Sequence, residues 1–208
     1  MPTLSKEQIK QYLLHRDSRL LPVITSVTYP VSRRNTNVYG ALLHSVVAQQ
    51  LSVKAAATIH ARLLGLFPDN NAQPELLARM PLARLRDAGL SKQKAGYLKA
   101  IAKVARDGGL AYDRLSKQSD AELVEYLTGI HGVGQWTVEM LLMFTFNRKD
   151  VFPVGDIGIQ NAMRRLYGLN QEGRPFKQKI TLIVEQWQPY RTIVCKYLWR
   201  WKANGYVD

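Results

Sequence analysis

The amino-acid sequence predicts an all-α protein. Three observations carry that expectation. Apolar residues recur at spacings of three and four along most of the chain, several of these runs follow a serine suited to cap a helix, and no pair of strand-like segments joined by a turn is found. The 208 residues are 46% hydrophobic and 22% charged, which describes a folded chain long enough to bury a real core. No internal repeat and no low-complexity tract interrupts it.

Taken in order, Ser5 caps a first helix over residues 5–17, with Ile9, Leu13 and Leu14 at helical spacing. Residues 25–34 hold Pro30 and the Arg33-Arg34 pair and read as a loop. Over 38–50, Tyr39, Leu42, Leu43, Val46 and Val47 form one stripe. Ser52 caps the next helix, which stops before Pro68; residues 68–74 are a loop, followed by short helical turns near 75–80 and 82–86. Ser91 caps a long basic helix ended by Gly108-Gly109. Ser119 and Glu122 form a capping box. Residues 136–146 are helical and apolar nearly all round, so this helix is expected to be buried. The last helix, over 190–201, repeats Tyr190, Ile193, Val194, Tyr197, Leu198 and Trp201 on one stripe and leaves Trp199 off it.

The formal net charge is +13, from 29 Lys and Arg against 16 Asp and Glu. The excess is weighted to the first half: residues 1–104 carry 15 basic and 5 acidic side chains, residues 105–208 carry 14 and 11. Nucleic acid is the usual partner for such an excess. The single cysteine, Cys195, excludes an internal disulfide, and excludes a zinc site or iron–sulfur cluster built on thiolates of this chain. The longest apolar stretch, over 140–146, is broken by Thr145 and is too short to span a bilayer, and the first residues lack the pattern of a signal peptide. The expectation is a soluble intracellular protein.

Residues 119–158 are the most informative. Two helices are joined by Thr128-Gly129-Ile130-His131-Gly132-Val133-Gly134. Gly132 and Gly134 allow a tight turn, Val133 between them can anchor it in apolar surroundings, and the second helix begins with free N–H groups and the positive end of its dipole. Such a turn grips a phosphate without reading a base. The run LTGIHGVGQWT followed by DVFPVGD resembles the helix-hairpin-helix superfamily of base-excision DNA glycosylases, and in particular its AlkA-type 3-methyladenine DNA glycosylases. AQQLSVKAA (residues 48–56), GLSKQKAGYLKAIA (89–102) and RTIVCKYLW (191–199) extend the resemblance in the family's order, over about residues 38–203.

The resemblance implies a two-lobed helical bundle forming one glycosylase domain over 1–208. Segments 1–37 and about 160–208 would pair as one lobe and about 38–159 form the other, with the active-site cleft between them. Only 37 residues precede Val38, too few for the mixed α/β domain that AlkA-type proteins can carry. Asp156 falls on the family's essential aspartate. Read from its residues alone it is a helix N-cap; read through the resemblance its carboxylate stabilises the positive charge that builds on the sugar as the base departs, and positions the attacking water. Trp136 stands where bifunctional members place a lysine that attacks the sugar as an amine. Indole cannot form a Schiff base, so the expected reaction is hydrolysis leaving an abasic site. Trp136 and Trp199 match pocket aromatics whose electron-rich faces favour a cationic alkylated purine, 3-methyladenine or 7-methylguanine. Met140 occupies a pocket position where relatives often carry tyrosine.

DNA contacts are expected from Gln49, Gln50 and Leu51, from Gly132, Val133 and Gly134, and from Lys92 and Lys94. Gln50, or alternatively Leu51, would fill the gap left by the flipped base. The backbone carbonyls of Thr128, Ile130 and Val133 are where family hairpins hold Na+ or K+; no other cofactor is expected. His44, His60 and His131 read as structural. The expected partner is double-stranded DNA containing alkylated bases, met by a monomer in the cytoplasm on the nucleoid, or in the nucleus of a eukaryote. Two rivals stand: a bifunctional glycosylase/lyase for oxidised bases, and a non-catalytic protein that binds DNA structure.

Overall fold

A computed structural model describes residues 4–31 and 35–206. In chain order its α-helices are α1 (Lys6–Arg16), α2 (Leu21–Ser26), α3 (Val38–Ala48), α4 (Val53–Leu64), α5 (Pro74–Arg79), α6 (Leu82–Asp87) and α7 (Lys92–Arg106). They continue as α8 (Tyr112–Leu115), α9 (Asp120–Thr128), α10 (Gln135–Phe144), α11 (Ile157–Tyr167), α12 (Gly173–Val184) and α13 (Arg191–Ala203). No strand occurs among the described residues, as the sequence predicts. No described helix is long and apolar enough to cross a membrane.

Side-chain caps set several of the helix starts. Ser5 accepts from the Gln8 N–H and Gln8 returns a bond to the Ser5 N–H, closing a capping box before α1. Ser52, Ser91 and Ser119 each accept from the backbone three residues on, at the starts of α4, α7 and α9. Some elements differ from expectation, among them the short α8. Helix α2 runs to Ser26, into the stretch read as loop, because Val23 and Ile24 bury themselves there; the Arg33-Arg34 pair lies outside the described residues. Helix α12 is one that the periodicity reading does not single out, and it buries Phe176, Ile180 and Val184.

The chain divides into two compact units, Met1–Arg33 with Asn147–Asp208, and Arg34–Phe146. The second boundary falls before Asn147, not near residue 159. Hydrogen bonds account for that difference. The Arg191 guanidinium holds the Asp150 carboxylate through both oxygens, at 2.7 and 2.9 Å, and the Thr192 N–H donates to the Lys149 carbonyl at 3.0 Å. The Val151 N–H donates to Thr192 Oγ1 at 2.9 Å. The loop before α11 is thereby fastened to the start of α13.

In the first unit α13 packs against α11 and α2, around Leu13, Leu20, Phe176, Trp187, Tyr197 and Trp201. Asp17 sits inside this core, 7% exposed. Its carboxylate accepts from the Tyr167 hydroxyl, from Trp187 Nε1 at 2.9 Å and from Gln186 Nε2 at 3.1 Å. Those bonds replace the water the charge gave up. Burial and this carboxylate push the Tyr167 hydroxyl well above the usual phenol range. In the second unit α7 is central and packs against α3, α5 and α6, while α10 lies against α9 and α3. Leu42, Leu63, Leu77, Leu85, Leu98 and Ile101 are fully buried there.

Candidate active site and DNA-contacting loops

Asp156 ends the loop that Arg191 and Thr192 hold. Its N–H donates to the Pro153 carbonyl at 2.9 Å, and Gln160 Nε2 donates to the Val154 carbonyl at 2.8 Å, so the loop is braced at its far end as well. Asp156 Oδ1 accepts from the Ile159 N–H at 2.8 Å, which makes it the N-cap of α11. The same oxygen accepts from Trp199 Nε1 at 2.9 Å. The cap that the residues alone predict is therefore present, and the same carboxylate is held in a fixed direction beside an indole. Trp199 lies off the core stripe of α13 and is half-buried. Gly158 makes the contact possible, since a Cβ there would sit 2.9 Å from Asp156 Oδ1 and 3.2 Å from Trp199 Nε1. Cys195 is fully buried, and burial pushes its thiol up, away from any role as a nucleophile.

The hairpin lies in the second unit. Helix α9 ends at Thr128, and Val133 is 4% exposed, anchoring the turn as expected. Gly132 has φ +92°, and a Cβ on it would lie 2.0 Å from Tyr97 Cγ, so only glycine fits. Gly134 precedes α10 with no side-chain cap, and open space surrounds the position of its missing Cβ.

The expectation that α10 is buried fails in part. Trp136 is 37% and Phe144 40% exposed. The all-round apolar pattern has a different origin on that side: Met140 and Phe144 line an open cavity of about 460 Å³ with His44, Ser45, Asn35 and Thr145. His44 meets His60 edge-on at 5.2 Å, and burial with the neighbouring His44 pulls the His60 imidazole down. His44 and Phe144 carry no motif, and their place on the cavity is visible only in three dimensions.

The loop between α3 and α4 carries Gln49, Gln50 and Leu51. Gln50 has φ +58°, and both Gln50 and Leu51 are exposed. Gln49 Nε2 donates to the Gly132 carbonyl at 3.3 Å, which ties this loop to the hairpin. Lys92 is exposed, as a phosphate contact requires. Lys94 differs from expectation: its ammonium donates to the carbonyls of Val47 at 2.8 Å and Gln49 at 2.6 Å. Its partners are backbone, and the sequence signal, a lysine in a basic helix, does not distinguish the two uses. Among the described residues no group of three His, Cys, Asp or Glu side chains is gathered to hold a metal ion.

The model of the HhH-GPD superfamily base excision DNA repair proteins matches residues 43–189, which include the hairpin, Trp136 and Asp156. The chain belongs to that superfamily. Among HhH-GPD relatives, DNA-3-methyladenine glycosylase 1 of Schizosaccharomyces pombe is 36% identical over 186 residues, covering 88% of this chain and 80% of that protein. YfjP of Bacillus subtilis is 31% identical over 170 residues, and the match spans 79% of this chain but 58% of the relative's length. The solved structure of S. pombe 3-methyladenine DNA glycosylase (Mag1) with abasic DNA superposes with a TM-score of 0.85 at 31% identity, covering 94% of this chain and 97% of that one.

Proposed function

We propose that this HhH-GPD protein is a monofunctional DNA glycosylase that flips alkylated purines, chiefly 3-methyladenine and 7-methylguanine, out of duplex DNA and hydrolyses their glycosidic bonds. The observation that carries the reading is Asp156, its Oδ1 fixed by the α11 backbone and the Trp199 indole. A pre-positioned carboxylate needs no reorganisation as charge develops near it. Methylation at N3 or N7 makes the purine cationic. When the C1′–N bond breaks, its electron pair leaves with the purine, which departs neutral, while positive charge appears on the sugar. Asp156 opposes that charge. Water then adds its oxygen to C1′ and gives up a proton, with Asp156 as the acceptor.

In this reading the second unit holds the DNA. The N–H groups at the start of α10 take a phosphate, Gln50 or Leu51 fills the vacated stack, and Trp136 and Met140 wall the base pocket. The hairpin carbonyls suit a monovalent cation: Ile130 accepts the Val133 N–H at 3.0 Å, which uses one of its two lone pairs. With Thr128 and Val133 it would hold the ion and add positive charge beside the phosphate. The protein acts as a monomer on chromosomal DNA, which light scattering of the free and DNA-bound forms checks. Support for hydrolysis comes from Trp136, which offers no amine.

The test is release of free base from methylated duplex DNA. Free 3-methyladenine and 7-methylguanine with an intact, alkali-labile strand are expected. A covalent adduct trapped by borohydride would show an amine nucleophile and overturn the hydrolytic mechanism. Tight binding without base release would leave a DNA-structure-binding protein.

A further inference from the structure

We propose that Lys94 and Gln49 are positioning residues that hold the base-replacing loop in fixed register with the hairpin, so that wedge and phosphate grip engage the duplex as one body. The inference rests on the glycosylase reading above. Four contacts carry it, all within the second unit. Lys94 Nζ donates to the carbonyls of Val47 and Gln49, at the end of α3 where helix carbonyls have no internal partner. Gln49 Nε2 reaches the Gly132 carbonyl. Tyr97, three residues after Lys94 and on the same side of α7, fills the space that the missing Cβ of Gly132 leaves open.

One rigid helix therefore touches both DNA-contacting loops: Lys94 secures the loop that carries Gln50 and Leu51, and Tyr97 seats the hairpin turn. The loop needs securing. Gln50 stands in the left-handed region at φ +58°, which a non-glycine residue keeps only when its surroundings impose it. Lys94 is half-buried, and burial draws its ammonium down from the usual lysine range. Its short bonds to two carbonyls leave it poorly placed to serve a phosphate. Exposed Lys92, two residues away, is the contrast.

The test compares Lys94→Met with Lys92→Met on two duplexes, one with the lesion fully paired and one with it opposite an abasic site, where extrusion is easier. Single-turnover base release, the salt dependence of duplex binding, and the fluorescence of 2-aminopurine beside the lesion are read for each. For Lys94→Met the expected result is a loss of about 10- to 100-fold in release and a weaker 2-aminopurine signal on the paired duplex, the cost of a misplaced wedge. On the unpaired lesion release returns to near wild type, and the salt slope is unchanged. Lys92→Met instead lowers the salt slope by about one, the signature of one lost phosphate contact.

A salt slope lowered by Lys94→Met, or an equal loss on both duplexes, or no loss, overturns the proposal. Gln49→Met removes the other half of the clamp without touching a charge. It is expected to reproduce the substrate-selective loss, and its failure to do so is equally decisive if Lys94→Met does not fold. Should wild-type protein release no alkylated base from either duplex, the glycosylase reading fails, while the salt slope and 2-aminopurine signal still report on the clamp.

Discussion

Asparagine at position 156 separates chemistry from folding unusually well. Asp156 Oδ1 accepts from Ile159 N–H at 2.8 Å and from Trp199 Nε1 at 2.9 Å. The amide oxygen of Asp156→Asn can take both in the same place, and asparagine caps a helix as well as aspartate does. What disappears is one negative charge. Its interaction with the dipole of α11 is worth about 0.3–1 kcal/mol, and about 1 kcal/mol moves Tm by roughly 2–4 °C in a chain of this size. Its interaction with a sugar cation about 4 Å away, at an effective dielectric near 20, is about 4 kcal/mol. That corresponds to roughly 10³-fold in rate. Single-turnover release of methylated base, thermal melting and duplex affinity are measured together. The expected outcome is a rate down by about 10³ with nearly unchanged Tm and affinity. Asp156→Ala is expected to match that rate loss and to cost about 1 kcal/mol more in stability, because the cap goes too. A loss in Asp156→Asn of less than about tenfold, with binding intact, refutes charge stabilisation by this side chain.

Three further outcomes follow from local geometry. Gly158→Ala places a methyl group 2.9 Å from Asp156 Oδ1; since alanine favours helix over glycine by about 1 kcal/mol, melting stays level or rises while base release falls about tenfold or more. Full activity in that variant would separate the Asp156–Trp199 contact from catalysis. Gly132→Ala meets both a left-handed backbone at φ +92° and the Tyr97 ring; about 2–4 kcal/mol of lost stability and a Tm lower by about 5–15 °C are expected, and a wild-type melting curve contradicts the packing described. His60 is held below its ordinary 6.5 by burial and by His44. The unfolded chain takes up a proton as pH falls through 6.5 while the folded protein does not, so this contribution is present above that pH and declines below it, levelling off once the folded imidazole titrates. Denaturant titrations of His60→Gln are expected to lose that part of the acid-side slope, and an unaltered slope rules it out.

Much of the fold was legible because its signals are local. The Ser5, Ser52, Ser91 and Ser119 caps act over three residues, and the stripes on α3 and α13 repeat within one helix. The hairpin was legible for the same reason: two glycines around Val133 describe a turn by themselves. The misplaced unit boundary and the exposed side of α10 were not. The first depends on Asp150 meeting Arg191, 41 residues on, and the second on which neighbours leave Met140 and Phe144 uncovered.

The amino-acid sequence by itself determined most of the helices, the positive charge, the hairpin, the family and the aspartate at the head of α11. Only the tertiary structure decided the long-range partners of the polar side chains. Lys94 and Lys92 read alike along the chain, yet one ammonium ends on carbonyls of residues 47 and 49 and the other is exposed. Asp156 and Trp199, 43 residues apart, share one hydrogen bond. Periodicity and capping are set by near neighbours in sequence; the partner of a charge is set by whichever segments the packed core brings within about 3 Å of it.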